Sequence, residues 1–384
     1  MKNKLKTFLL FIIIFLLNIS IINASEQFNF DITEIEILEK GNKFIGKKRG
    51  LITTEDNIKI EADKFEYDKS SNILKLFGNV IIVDINESSK IFSEEVTYYK
   101  NQEIFISEKN SKYINTEENI RIEANKFNYN KLSNILKLIG NVIIVDINEG
   151  SKIFSEKVTY YKKQEIFLSE GNSKFINKEF IIDSDKMKYN KVLNSINASG
   201  DVKIDDKKKE YIIYANDINY LRNVEKIFTK GKTKAIIKSK YDFNSYDVEL
   251  LRNENILSSQ NKSTILDKKF KLYELDTFVY FIKDEILKAK NLKIISDSTV
   301  PLGQADNLKF DDGFFDLKNE NYTASKTEIN LRKDSFDNIE NDPRLIGVSS
   351  NSKNKVTTVN KGIFTSCKKE DGKCPPWSIK AKKI

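Results

Sequence analysis

The sequence predicts an all-β repeat protein, on three observations. The stretch Asn57–Glu108 is written again at Asn119–Glu170, with an offset of 62 residues throughout and 42 of 52 aligned positions identical. A weaker third copy at 180–231 sets Lys186-Met187-Lys188-Tyr189-Asn190 against Lys126-Phe127-Asn128-Tyr129-Asn130, and Gly200-Asp201-Val202 against Gly140-Asn141-Val142. A fixed period of this size marks a chain in which one supersecondary unit stacks on copies of itself. Within the unit, apolar residues recur at every second position, as in Ile58-Lys59-Ile60-Glu61-Ala62. That period dries one face of an extended strand and leaves the other wet. Finally, β-branched and aromatic residues are frequent, and no comparable stretch has helical spacing.

The elements of one unit follow in order. After Ile58–Ala62, Asp68-Lys69-Ser70-Ser71-Asn72 gathers turn formers, whose short polar side chains bond their own backbone. Ile73 to Ile85 is a long run in which Val80-Ile81-Ile82-Val83 is apolar on both faces, and Gly78 interrupts it as a bulge or bend would. A third strand runs from Lys90 to Tyr99, Lys100-Asn101-Gln102 is a turn, and Glu103 to Ser107 is a fourth strand. The unit is therefore about four short antiparallel strands joined by hairpins. The rhythm persists in Phe180-Ile181-Ile182-Asp183, Tyr211–Ala215, Lys234–Lys238, Phe278–Phe281 and Asn291–Ile295, so the array runs for roughly four units. Asp297–Asp312 reads as a polar loop, Phe314–Leu331 as short strands, and Ser349–Lys355 as a flexible polar loop.

Ahead of this array, residues 1–24 read as a secretory signal peptide. Lys2, Lys4 and Lys6 supply the positive start, Phe8–Leu17 the apolar core, and Ala24-Ser25 a cleavage boundary. The rival reading is an uncleaved membrane anchor, because the apolar stretch nearly continues to Ile22. The formal charge of +8 falls to +5 without the three leader lysines, leaving 61 basic against 56 acidic residues. A basic balance suits phosphate-bearing partners, either nucleic acid or an anionic glycolipid. Here charges of both signs alternate along solvated strand faces, and no Lys/Arg block with interleaved aromatics forms a nucleic-acid patch. No nucleic-acid partner is expected.

The sequence contains no histidine, which removes His-based catalysis and His metal ligation. The carboxylate pairs Asp205-Asp206 and Asp311-Asp312 sit in turn-like polar sequence, and no Gly-rich phosphate loop follows a strand. An enzyme is not expected, nor a cofactor. Both cysteines, Cys367 and Cys374, lie near the end with six residues between them, in a chain expected to leave the cytoplasm. A local disulfide is the favoured state, and it closes too short a loop to stabilise the whole domain. A metal pair is the poorer alternative, with no histidine and no second cysteine pair to complete it.

The last segment, 341–384, differs in kind. Glu340-Asn341-Asp342-Pro343-Arg344-Leu345, Gly347-Val348-Ser349-Ser350, Lys361-Gly362-Ile363-Phe364-Thr365-Ser366-Cys367 and Cys374-Pro375-Pro376-Trp377-Ser378-Ile379-Lys380-Ala381 resemble the lipopolysaccharide-assembly family LptD, in its alphaproteobacterial members, at the junction between periplasmic domain and outer-membrane barrel. The repeats, with Gly-Asn-Val strings and pairs such as Ala62…Tyr67 and Ala124…Tyr129, are similar to the OstA-like module shared by LptA, LptC and LptD. The resemblance implies an elongated twisted β-jelly roll over 25–340, whose two sheets part like an open V around the acyl chains of lipid A. It implies modules joined end to end through edge strands, a device that turns an aggregation liability into a bridge. It also implies a periplasmic chain associated with the outer membrane, with lipopolysaccharide, other LptA- or LptC-type modules, and a separate barrel with its lipoprotein plug as partners. Family cysteines of this part can pair with barrel cysteines, whereas here Cys367 and Cys374 have only each other.

The family continues into a barrel where this sequence stops at Ile384, so two forms are expected: a truncated or split LptD product, or a free-standing bridge of the LptA kind. The competitor from another class is a structural or adhesive β-repeat protein without lipid transport. Val80, Ile82, Val142, Ile144 and Val202 are the candidate groove-lining residues, with ordinary sandwich core as the equal alternative for each.

Overall fold

The computed structural model describes residues 28–208, 210–301, 303–336, 338–369 and 375–384. The expected leader lies outside them, and so does Cys374. One repeat shows how the chain is built. Ile58–Ala62 and Lys64–Asp68 are two halves of one pass, Ile73–Asp84 returns, Ser89–Tyr99 passes again, and Ile104–Ser107 with Ser111–Asn115 make the fourth pass. The second copy repeats this from Ile120–Ala124 to Ile166–Ile176, and the third with Phe180–Asn190, Ser195–Asp206, Tyr211–Leu221 and Lys226–Ile237. Each long strand pairs antiparallel with the next, as Ile135–Asp146 does with Lys152–Tyr161 and Lys152–Tyr161 with Ile166–Ile176. The fold is the expected all-β array of repeated antiparallel units.

Every pass bends near its middle. Phe77 pairs with Glu95 and Val80 with Ser93, so Gly78 and Asn79 face a single neighbour, Glu94. This is a β-bulge, which bends its strand. Gly78 has φ +75°, and a Cβ there would sit 2.8 Å from the Asp63 carboxylate. The device recurs at Gly140-Asn141, Gly171-Asn172 and Gly200-Asp201. Because the bends stack, they crease the whole ribbon lengthwise. Lys64–Asp68 pairs only with the first half of Ile73–Asp84 and Ile58–Ala62 only with its second half. The two halves of all passes thus form two wings that face each other.

Between the wings lies one continuous apolar core. Alternation supplies it: Leu74, Leu76 and Tyr98 point in from the first wing, and Ile60, Ile82 and Ile91 from the second. Rings meet across the gap, Phe180 against Tyr220 at 5.2 Å and Phe243 against Tyr280 at 4.9 Å. At the crease the wings converge, and small hydroxyl residues replace large apolar ones. Ser107 bonds both Ser93 and Ser111 at 2.6 Å, and Ser93 donates to the Lys109 carbonyl at 2.9 Å. These donors serve carbonyls that a bulged ladder leaves unpaired.

The C-terminal region departs from the sequence expectations. A strand, Asn307–Asp316, begins inside the polar stretch expected to be a loop, and it continues the array with Asn321–Asn330. Ser349–Lys353 belongs to the strand Arg344–Lys353, paired with Val356–Thr365, and its serines Ser350 and Ser352 are buried. Small polar side chains suit the narrow crease, so a serine-rich string that looks like a loop is a strand here. Asp206, expected to be solvated, is buried and accepts a hydrogen bond from the Glu210 amide at 3.1 Å.

Candidate functional site: the interior and its margins

All five candidate groove residues face the interior from the second wing. Val80, Val142 and Val202 are 1% exposed, Ile82 2% and Ile144 4%. The fold brings them into one row across three repeats, packed against the opposite wing. Their neighbours Ile81 and Val83 point outward, half-buried, beside Phe92 and Lys90 of the adjoining strand. The interior is thus a filled core over these repeats, in place of the open V that the resemblance implies.

Toward the C-terminal end the interior opens. Tyr273, Ile294, Leu308, Phe315, Leu317 and Tyr322 line an apolar cavity of about 260 Å³. Leu308 and Tyr322 also border a second, of about 460 Å³, with Ile329, Leu345, Phe364 and Ile384. The two cavities adjoin at these side chains as a cleft drawn from both wings, with Asp306 bordering both and Lys271, Asp316, Glu320 and Lys355 lining the first.

Opposite the crease, the hairpin turns of the two wings meet along their free margins. The first wing presents a cation about every 31 residues: Lys100, Lys131, Lys162, Lys191, Arg222 and Arg252. Each donates its backbone amide to the preceding turn of its own margin, Lys131 to Glu103, Lys162 to Asn134 and Arg222 to Asn194, which aligns them in a row. Their side chains reach across to acids of the second wing. Lys100 meets Asp56 at 2.6 Å, Lys131 meets Asp84 at 3.0 Å, and Lys162 bonds Glu87. Further along, Lys191 meets Asp146 at 3.4 Å, Arg222 meets Glu149 at 2.5 Å and Arg252 meets Glu179 at 2.5 Å. Two more rungs reverse polarity, with Lys240 of the second wing on Glu285 at 3.0 Å and Lys269 on Glu320 at 2.9 Å.

The cations of the middle rungs are largely dry, although the acids Glu149 and Glu179 stand 42% and 53% exposed. Side chains of Lys162, Arg252 and Asp146 are 6%, 9% and 9% exposed, against 76% for Lys269. Aromatic faces help hold the desolvated cations: Arg252 lies 4.5 Å over Phe180, and Lys162 lies 5.3 Å over Tyr129. Tyrosine hydroxyls complete the network, Tyr129 donating to Glu87 and Tyr160 to Glu118, while Tyr189 and Tyr211 accept from Arg222 and Arg252. Burial lifts the hydroxyls of Tyr189 and Tyr211 to about 12. At Glu87 burial works upward, but bonds from Lys162 and Tyr129 outweigh it and hold the carboxyl below its ordinary range. At Glu118 burial wins, and the carboxyl is raised.

Sequence reading located the inward row but missed this charged seam. Its signal was present: Lys100 and Lys162 open Lys-x-Gln-Glu turns, and Arg222 an Arg-Asn-Val-Glu turn, each closing on a left-handed glutamate. Cys367 is half-buried, and its Sγ lies 3.9 Å from the Trp377 carbonyl. The expected partner, Cys374, lies outside the described residues.

Comparison with known proteins adds a family match over part of the sequence. No curated protein matches the chain. Among solved structures, the crystal structure of LptH, the LptA homologous periplasmic component of the conserved lipopolysaccharide transport device from Pseudomonas aeruginosa, shares 15% identity over 30% of this chain and 83% of its own, with a TM-score of 0.27. Residues 59–166 match the family model of the LptA/(LptD N-terminal domain) LPS transport protein, a stretch that holds Val80, Ile82, Val142 and Ile144 and the rungs at Lys100, Lys131 and Lys162. Over residues 59–166 the chain is thus similar to that lipopolysaccharide-transport family, whose members are binding and transport proteins and not enzymes.

Proposed function

We propose that this protein carries lipopolysaccharide across the periplasm toward the outer membrane, as the N-terminal part of LptD does, with the acyl chains between the wings. The observation that carries the reading is the apolar interior, which runs unbroken through the repeats and widens into the cleft around Leu308 and Tyr322. Acyl chains need such a dry, continuous surface, whereas a structural filament gains nothing from a cleft at one end. In this reading Val80, Ile82, Val142, Ile144 and Val202 touch lipid only when the wings part. Leu308 and Leu345, which line the cleft, touch it without any parting of the wings. The family description names LptA beside the LptD domain, which favours a free-standing bridge as the second form of the same function.

The partners follow from the edges. Among the described residues, Asn29–Asp31 and Ile35–Leu38 lie at one end of the array and Ile379–Lys383 at the other. Each offers an unpaired ladder to another module of LptA or LptC type. A separate barrel with its lipoprotein plug, export by the leader, outer-membrane association and the Cys367–Cys374 disulfide belong to the same proposal.

Site-specific photo-crosslinking in a lipopolysaccharide-making host tests it. Probes at Leu308 and Leu345 are expected to give the strongest lipopolysaccharide adducts, with weaker ones at Ile82, Ile144 and Val202 and none at the exposed controls Lys69 and Asn101. Folded, exported protein that gives no adduct at any inward position would remove transport and leave a structural or adhesive repeat.

A further inference from the structure

The charged seam has a role that core packing does not require. Along the crease the two wings are joined covalently in every pass and tied by buried hydroxyls. Along the margins, the described polar links between wings are ion pairs and hydrogen bonds in which at least one side chain takes part, such as Lys191 to the Glu118 carbonyl at 2.8 Å. Backbone bonds run along each margin, from Lys162 to Asn134 on one and from Ile147 to Asn119 on the other. The joint is therefore a hinge on one side and a row of exchangeable charge contacts on the other.

Its polarity is uniform over six rungs, with cations on the first wing and acids on the second from Lys100 to Arg252. It also ends in a particular place. Among the described residues, the last ion pair joining the margins is Glu320 with Lys269 and Lys271, and Lys271 and Glu320 both border the cleft. Beyond it the interior stands open, and before it the interior is filled, with one polar cavity of about 320 Å³ between the margins at Arg252 and Glu179.

We infer that the seam is a latch: the paired margins close the interior of the unloaded protein and unfasten rung by rung as an acyl chain advances between the wings toward the cleft. The inference names the regulation of the proposed lipid path and rests on that reading. The rungs differ in how readily they part: Lys269–Glu320 is solvated and parts most easily, and the aromatic-clamped rungs at Arg252 and Arg222 resist longest. The wings turn about the crease, whose hydroxyl bonds stay intact.

The test uses the full chain with both native cysteines replaced by serine and a single reporter, Ile144→Cys, in the closed interior. A maleimide reagent reports how often that thiol is uncovered. Neutralising three rungs together (E87Q, E149Q and E179Q) is expected to raise the labelling rate at least about tenfold while the β-sheet circular-dichroism signal stays unchanged. An unchanged rate in the folded variant overturns the latch. Should the triple variant fail to fold, single substitutions at the two half-exposed acids, E149Q and E179Q (42% and 53% exposed), still decide: each is expected to raise labelling at least about threefold, an unchanged rate overturning the latch. Binding of purified lipid A is measured on the same proteins. Faster labelling without lipid A binding in any of them would keep the latch and reject transport. Lipid A binding with labelling indifferent to the seam would do the reverse.

Discussion

Glu87 shows how much one position can hold. It accepts from Lys162 and Tyr129, and Lys162 in turn lies over the rings of Tyr113 and Tyr129, so three residues from both wings depend on one carboxylate. A buried pair of this kind gains little net stability, because desolvation offsets attraction, but losing one partner strands the other at a cost of about 3–5 kcal/mol when fully buried. Titration tests this. Glu179 is held below its ordinary range by the Arg252 guanidinium, and Glu87 and Glu285 are held low by lysines against the pull of burial. Groups lowered in the folded state stabilise it above their unfolded value, about 4.3 for glutamate, and that stability is lost as pH falls through their folded values. Glu118, raised by burial, acts with the opposite sign. The thermal midpoint is therefore expected to fall between about pH 5 and pH 3, and Glu87→Gln to flatten that fall; calorimetry across the range checks both. The five inward aliphatics were legible because alternation reports which face is dry. The cations were not, since a lysine in a turn looks the same whether it meets solvent or an acid 75 residues away, as Lys162 meets Glu87.

The bulge is the element on which both wings depend. Gly200 has φ +77°, and a Cβ there would stand 2.3 Å from the Asp185 carboxylate, the tightest such contact among the bulge glycines. Gly200→Ala is therefore expected to lower stability by about 1–3 kcal/mol through strain at positive φ, read as a reduced denaturant midpoint with the slope unchanged. Gly231→Ala, with no atom within 4 Å of its Cβ, is expected to cost less, about 1 kcal/mol, from φ alone. The sequence announced the bend, since Gly78 interrupts an otherwise apolar run. What it concealed was that each long strand serves two sheets, because local periodicity does not say which half pairs with which neighbour. For the same reason Lys64–Asp68 and Ser111–Asn115 went unassigned: each is a short second half, separated from its first by one or three residues.

At the scale of the whole molecule, the repeat is the unit of length. Four passes per 62 residues, spaced by about 4.8 Å, add about 19 Å to the ribbon. Deleting 57–118 joins Asp56 to Asn119, and the turn survives because Asn57 and Asn119 share a left-handed backbone, φ 60° and 55°. The shortened chain is expected to stay folded and monomeric, to lose about 19 Å of maximum dimension in X-ray scattering, and to bind less lipid. Unfolding would argue against a modular array. The repeat period was readable from the sequence, but not the extent of the array, which Asn307–Asp316 and Asn321–Asn330 carry past the four units expected. Nor was closure of the wings, because it depends on contacts between margins that are distant in sequence.

The near-identity of the two copies also bears on how the chain reaches this state. Gly50–Thr53 pairs with Ile58–Ala62, and Ile120–Ala124 is an almost identical partner behind an equivalent turn. A folding chain can therefore seat the later strand first and expel 62 residues as a loop, with every local contact satisfied. Loop closure penalises the error only weakly, since its cost grows as the logarithm of length. The same ambiguity between two molecules yields an exchanged dimer. A duplication that lengthens the native ribbon so smoothly thus carries a kinetic hazard, a register slip of one whole period, which is erased only when the displaced copy works its way back into line.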